Sequence, residues 1–419
     1  MDINNILRGA DCECGRRHEC DIEHVYIEKD ACMRLDALTA GKDKILVVAD
    51  ENTYAAAGER TISALAGKKI KKVIFPGSAV LIPNERATDT VTKALDGEEL
   101  IVGVGSGVIQ DLCKYVSFFE KTPYMIVATA PSMDGYASNG AAMILKGMKT
   151  TVAAGLPRAI IADTEVLADA PMEMIKAGFG DIIGKYSALC DWRLSNIVNG
   201  EYLCEYIYDT TYEMIEKTLA AAKGLIARDK ESVKTLMEAL VVVGIMMSFA
   251  GSSRPASGSE HHLAHFFEIV GIVKNEPYFA HGIDVAYSTI ITTEIRERLA
   301  KEKFPSKLYR PERSEYEVKM SKVYGRGGEG CMALQDKVGS YKENRVPVYL
   351  EKEAEIKALF ASVPTAKQIE EMLALVGLDK KEYYDLYGKD KIGTAVKWAK
   401  DLKDRYTVLW LYFDLFGGK

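Results

Sequence analysis

The 419-residue chain carries 54 Lys and Arg against 60 Asp and Glu, a net charge of −6, with 48% hydrophobic and 27% charged residues. This composition suits a globular protein of two or three domains and excludes disordered, collagenous and coiled-coil chains. The acidic balance also argues against a nucleic-acid partner, because binding there rests on bunched cations that release counterions.

The first residues, MDINNILRGADCEC, show neither the basic-apolar-small succession of a secretory signal nor an Arg-rich transit pattern, so a cytoplasmic location is expected. Eight cysteines in a reducing compartment point to thiols or metal ligands rather than to a disulfide framework. Cys12, Cys14, His18 and Cys20 fall close together, more tightly than in paired C-x-x-C sites. They read as an ordinary reduced turn, with a small zinc knuckle as the alternative.

From residue 44 to 163, apolar runs at 45–49, 72–75, 100–103, 124–128 and 159–162 alternate with stretches of helical period such as 52–66 and 85–95. That alternation predicts a parallel sheet covered by helices. Residues 142–156, with Gly147 and Gly155, read as an added hairpin. Helical periodicity then takes over, at 171–198, 202–227, 232–250, 281–299, 366–376 and 389–415. An α/β domain over 1–163 is therefore expected to precede an all-helical domain over 164–419, divided at the cap-like Asp163-Thr164 step. The charge-free stretch 239–253 falls short of the roughly 18 residues of a membrane span and reads as a buried helix. With no repeat or Pro-rich linker, the halves are expected to pack directly, with the ligand cleft between them.

Three groups carry chemistry. The run Gly103-Val-Gly105-Ser106-Gly107-Val108-Ile109 follows a strand and opens a helix, where bare backbone and unpaired N–H groups favour an anion. Its spacing matches neither G-x-G-x-x-G nor G-x-x-x-x-G-K, so a Gly-rich turn without a ligand weighs about as much. Asp50, ending the first of the apolar runs, could accept from ribose hydroxyls and repel a 2′-phosphate, or simply cap the next helix. The loop 128–138 leaves another strand end, rich in hydroxyls and small residues.

Histidines form the third group: His261, His262, His265 and His281 lie within 21 residues. His261 and His265 are one helical turn apart on one face, while His262 points elsewhere. With Asp181 as a carboxylate, such a set suits a metal. The spacing of a zinc peptidase is present, but position 262 holds His where that chemistry needs Glu, and Glu260 precedes the pair. Acyl transfer has no support, since G-x-S-x-G is absent.

Taken together and in order, GVGSGVIQD, TAPSMDGYAS, GFGD ending in Asp181, SRPASGSEHHLAH and the HG at 281–282 resemble the sn-glycerol-1-phosphate dehydrogenases. That family belongs to the iron-containing alcohol dehydrogenase and dehydroquinate synthase-like superfamily, and the likeness is to its bacterial NAD-type branch. It covers about residues 25–300, with 253–261 the most specific part. The resemblance implies an α/β Rossmann-like N-terminal domain followed by an all-α C-terminal domain of dehydroquinate synthase-like fold. It puts NAD(H) on Asp50, Gly105, Ser106, Gly107, Val108, Ile109, Thr129, Ala130, Pro131, Ser132 and Ser138, with NADP(H) served less well. It puts one divalent metal, zinc or nickel with iron also compatible, on Asp181, His261 and His281, and turns Asp134, Asp181 and His265 toward the substrate.

The implied activity is reversible, metal-dependent reduction of dihydroxyacetone phosphate to sn-glycerol 1-phosphate by a homo-oligomer, a dimer in the first instance. Nothing in the resemblance assigns a role to the N-terminal cysteines or to the chain after residue 300. Arg254, with Ser257 and Ser259 nearby, is a candidate for the substrate phosphate on charge and sequence proximity alone. Two other readings stand beside this one: glycerol or another free polyol as substrate on the same scaffold, and a non-catalytic protein whose metal only pins helices.

Overall fold

The computed structural model describes residues 2–145 and 148–418. Among the described residues ten strands run in chain order: β1 Ala10–Asp11, β2 Arg17–His18, β3 His24–Glu28, β4 Lys44–Asp50, β5 Lys69–Phe75, β6 Leu100–Gly105, β7 Tyr124–Ala128, β8 Gly140–Leu145, β9 Met148–Ala153 and β10 Ala159–Asp163. Six of them form a parallel sheet in the order β3-β10-β7-β6-β4-β5. Every residue of β6, β7 and β10 is buried, which explains why they read as unbroken apolar runs rather than alternating ones. Edge strand β5 instead spreads three lysines along KIKKVIF, a charge pattern that discourages pairing with another chain. The opposite edge, β3, alternates half-buried and buried residues and lies outside the apolar runs read from sequence.

Each face of the sheet has its own cover. On one, Val47, Ala49, Val102, Val104 and Ile161 pack with Leu35, Ala57 and Leu65. On the other lies the helix Gly107–Glu120, let down by Gly103: a Cβ there would stand 2.9 Å from Cys113 Sγ. The chain passes from β4 outward to β5, then returns to the far side of β4 to make β6. This reversal is the point at which open parallel sheets bind ligands, beyond the carboxyl ends of the two strands that flank it. Those ends are Asp50 and Gly105.

The hairpin read at 142–156 is the antiparallel pair β8–β9; its turn, including Gly147, lies outside the described residues. Beyond Asp163, whose side chain caps Thr164–Asp169 by accepting from the Glu165 N–H, helices dominate. The period read over 171–198 breaks at Gly184 into Met172–Ile183 and Lys185–Asn199. The stretch read as helical over 389–415 is also interrupted. A 3-10 turn at Ala399–Leu402 precedes Val408–Phe416, and just before the stretch Gly388, at φ 68° and ψ 158°, breaks Lys380–Trp398. Only a residue without Cβ adopts that backbone cheaply.

Strands stop at residue 163, but compactness divides the chain differently. One unit gathers residues 1–182 and 216–253, the other 183–215 and 254–419. The first recruits the helix Lys230–Ala250 because Gly244 lets it lie against the Asp134–Ala137 turn, where a Cβ would stand 2.8 Å from Asp134 O. Ser248 Oγ donates to Ala137 O at 3.0 Å in the same contact. By length and composition this is the one helix among the described residues able to cross a membrane, yet 78% of its apolar window is buried in the fold.

In the second unit, a buried ion pair of Arg296 and Asp191 at 2.9 Å organises the helices. Asp191 also accepts from the N–H groups of Ser259 at 2.7 Å and Val408 at 2.9 Å, which fixes the start of the helix Ser259–Lys274.

Candidate active site

In the first unit, Asp50 does what the simpler of its two readings expects. Its Oδ1 accepts from Thr53 N–H at 2.9 Å while Thr53 Oγ1 accepts from Asp50 N–H at 3.1 Å, a reciprocal cap. A carboxylate has about four acceptor positions, so the cap leaves others for a ligand. Asp50 also lines a cavity of about 180 Å³ with Asn52, Gly77, Val80, Ser106, Val108 and Ile109. The cavity therefore opens at the switch point between β4 and β6.

The two glycines of the β6 turn differ in what they permit. A Cβ on Gly105 would fall 2.6 Å from Ile109 Cβ, so packing alone demands glycine there. On Gly107 it would meet nothing closer than Met133 at 3.7 Å. Packing does not account for Gly107; a bare backbone at a helix start is what an approaching phosphate uses.

The loop after β7 holds Thr129, Ala130, Pro131, Ser132 and Ser138, all buried. Thr129 N–H donates to Gly105 O at 3.2 Å, joining it to the β6 turn. Gly178, on Met172–Ile183, passes so near that a Cβ would sit 1.9 Å from Pro131 O. Lys114, given no role from sequence, holds the far end of the loop. Its fully buried Nζ donates to Gly135 O at 3.0 Å, Gly140 O at 2.9 Å and Ser138 Oγ at 3.3 Å. Burial lowers its pKa, opposed by Asp111 and Asp134.

Asp134 opens the 3-10 turn Asp134–Ala137, and its backbone N–H donates to Asp181 Oδ2 at 3.0 Å. Asp181 itself is fully buried on Met172–Ile183. The first unit thus joins two of the three residues read as facing substrate.

The second unit brings the histidines together. His261 and His265 lie on Ser259–Lys274, and His281 begins His281–Lys301. Ring centroids are 5.1 Å apart for His261 and His281, 5.3 Å for His265 and His281, and 5.9 Å for His261 and His265. His262 is fully buried away from them, and burial holds its pKa well below the usual imidazole value, reinforced by Arg405 and Lys403.

Two acids in this unit have no role assigned from sequence. Glu260 Oε1 lies 2.7 Å from His261 Nδ1 and accepts from Gly258 N–H at 2.7 Å; burial pushes its carboxyl pKa up, and that backbone donor counters. Glu268 lies one helical turn beyond His265. It offers an oxygen that, with one nitrogen each of His265 and His281, forms a group within 4.8 Å of one another. The i, i+3 spacing from His265 was the available signal. The chain after residue 300 also contributes: Tyr387 stacks on Phe267 at 3.9 Å and donates to Asp284 at 2.8 Å, bracing both histidine helices.

Arg254 corrects the sequence reading. It is buried, its Nε donates to Glu201 Oε1 at 2.6 Å, its second amino group pairs with Glu201 Oε2, and NH1 donates to Tyr406 O at 2.7 Å. Ser259 is equally engaged, with Oγ 3.1 Å from Arg296 NH2. Ser257 gives its carbonyl to Arg405 at 2.9 Å. Arg254 is a structural cation here rather than a phosphate ligand.

Comparison with known proteins agrees with this geometry. The family model "Iron-containing alcohol dehydrogenase" matches residues 26–171, the sheet and its switch point. A glycerol-1-phosphate dehydrogenase (NAD(P)+) of Geobacillus thermodenitrificans is 33% identical over 305 residues, covering 71% of this chain and 76% of that protein. One from Bacillus licheniformis is 35% identical over 302 residues, covering 69% and 74%. Among solved structures, an iron-containing alcohol dehydrogenase from Thermococcus thioreducens superposes with a TM-score of 0.62 at 13% identity, over 96% of this chain and all of that one, a likeness of fold. Identity at this level, sustained across about three quarters of each relative, means that the chain belongs to the glycerol-1-phosphate dehydrogenases of the iron-containing alcohol dehydrogenase family.

Proposed function

We propose that the protein reduces dihydroxyacetone phosphate to sn-glycerol 1-phosphate with a nicotinamide cofactor, reversibly and with a divalent metal. The observation that carries this reading is the convergence of His261, His265 and His281 with Glu260 behind His261. Imidazole nitrogens so gathered are the donor set of a zinc or nickel site, and a carboxylate on one ring is the usual support of a ligating histidine. Asp181, His261 and His281 would hold the ion, which when bound supplies a Lewis acid to the substrate oxygen at C2.

The chain's own groups do the rest. An Nδ1–H of His261 donated to Glu260 leaves its Nε2 lone pair for ligation. His265, one turn further on, orients a substrate hydroxyl or holds its proton, and Asp134 serves likewise. In the first unit's own cavity, Asp50 accepts from the ribose and disfavours a 2′-phosphate, which supports NAD(H) over NADP(H). The backbone of Gly105, Ser106, Gly107, Val108 and Ile109 receives the pyrophosphate, and Thr129, Ala130, Pro131, Ser132 and Ser138 wall the cofactor. Zinc or nickel as the preferred ion and a homodimer rest on the family resemblance, and the location belonging to this reading is the cytoplasm.

One observation favours the sibling substrate class. With Arg254 committed to Glu201, the cation proposed for the substrate phosphate is withdrawn, and an unphosphorylated polyol such as glycerol gains accordingly. The test follows NADH absorbance with dihydroxyacetone phosphate and with free dihydroxyacetone, on protein stripped by chelator and re-supplied with zinc, nickel or iron. Metal-dependent turnover of the phosphorylated ketone to the sn-1 stereoisomer is expected. Turnover of the free ketone alone would move the assignment to a polyol dehydrogenase, and none with any metal would remove both.

A further inference from the structure

Well before the catalytic residues in the chain, a second group of soft ligands meets. Strands β1 and β2 pair as a short ladder, Ala10 with His18 and Asp11 with Arg17. The connecting turn is tight: Cys12 N–H donates to Arg16 O at 3.0 Å, and Gly15 N–H donates to Cys12 O at 2.9 Å. Gly15 closes it at φ +82°, a backbone that favours glycine. The result gathers the Sγ atoms of Cys12 and Cys14 and one ring nitrogen of His18 within 4.8 Å of one another. Cys20, the fourth member by sequence, is outside the group, and burial raises its thiol pKa.

We propose that Cys12, Cys14 and His18 hold a structural zinc ion that fixes the β1–β2 hairpin. Two dimensions support it. Cys14 Sγ and His18 Nε2 are 3.4 Å apart. Bonds of about 2.3 Å to sulfur and about 2.0–2.1 Å to nitrogen at tetrahedral angles put such ligands roughly 3.5 Å apart. The imidazole is also pre-oriented: His18 is 1% exposed and lies flat on Phe249, with ring centroids 5.3 Å apart and an interplanar angle of 14°. Phe249 is near the end of Lys230–Ala250, so the ion would clamp the hairpin to that helix within the first unit.

The chemistry is simple exchange of ligands. Two thiols give up their protons on binding, neutral His18 lends a lone pair, and the fourth tetrahedral position is filled from outside the hairpin. No electron is transferred. The proposal stands apart from the catalytic reading, whose ligands are nitrogen and oxygen donors only, and that difference makes the two sites separable.

The experiment loads the full-length protein with cobalt(II) in place of its native metal and records the absorption spectrum. Thiolate ligation gives a charge-transfer band in the near ultraviolet that imidazole and carboxylate donors do not. The expected result is that band in wild type, its loss in the Cys12→Ser, Cys14→Ser double variant, and its retention in His261→Ala, His281→Ala. Zinc content should fall by one ion per chain in the cysteine variant, while turnover with NADH stays measurable. If the cysteine variant does not fold, the wild-type spectrum still decides. A wild-type spectrum without a thiolate band overturns the site and leaves Cys14 and His18 as a simple hydrogen-bonded pair.

Discussion

His261 Nδ1 and Glu260 Oε1, side chains of adjacent residues, meet at 2.7 Å in the second unit, where both residues are buried. Adjacent helical residues normally diverge, by about 100° around the axis. They meet here because Glu260 folds back to the helix start, where its Oε1 also takes the Gly258 N–H.

Glu260→Gln should therefore act on the metal rather than on the fold. The amide keeps an acceptor and the shape but loses the charge that orients the imidazole, and removal of such a support costs about 10–100-fold in metal affinity. Competition with a graded chelator series reads this directly. Retention of metal equal to wild type would separate Glu260 from the proposed site.

Asp50→Ser tests the cofactor assignment with little structural cost. Serine also caps helices, so the turn at Thr53 should survive while the carboxylate is lost. The ratio of kcat/KM for NADH over NADPH should fall by about tenfold, the equivalent of about 1.4 kcal/mol. An unchanged ratio would leave Asp50 as a cap and nothing more.

Arg254→Met should lower stability without touching substrate affinity. The change leaves the Glu201 carboxylate with the Ser195 hydroxyl but no cation, and strands the Tyr406 carbonyl. Because Glu201 is 31% exposed, the loss should be roughly 2 kcal/mol, below the 3–5 kcal/mol of a fully buried pair. Denaturant unfolding would show it as a lower midpoint. A raised KM for dihydroxyacetone phosphate at unchanged stability would restore the phosphate role.

Lys114→Met removes three hydrogen bonds from the loop 135–140 and should cost about 2–4 kcal/mol, with a raised KM for NADH as the loop loosens. The pH dependence has a definite sign. Burial places the folded-state pKa below the unfolded value of about 10.4, so between the two the unfolded chain binds more protons and this group's contribution to stability grows as pH rises. The Met variant should lack that alkaline component. Identical slopes in the two proteins would show that Lys114 does not titrate there.

The buried strands β4, β6, β7 and β10 were legible because a parallel sheet covered on both sides writes itself as unbroken apolar runs. Edge strand β3 was not, since three of its five residues are only half-buried and need not be apolar. In the site, the histidine pair could be read from i, i+4 spacing. The fate of Arg254 could not, because its partner Glu201 is 53 residues away and nothing local announces the pairing. Glu260 was visible as a neighbour of His261, but a neighbour in sequence normally points elsewhere on a helix. Asp50 was read in two ways, and the structure shows the cap while leaving the cavity beside it.

The first unit is discontinuous: its last segment, residues 216–253, follows an excursion of the chain into the second. During synthesis the sheet strands therefore emerge well before the helix Lys230–Ala250 that covers the Asp134–Ala137 turn. A nascent chain ending at residue 182 holds all ten strands, yet leaves bare the surface on which Gly244 and Ser248 later settle. Cofactor-binding competence should thus appear late on the ribosome, after residue 253 clears the exit tunnel, and not when the sheet is complete.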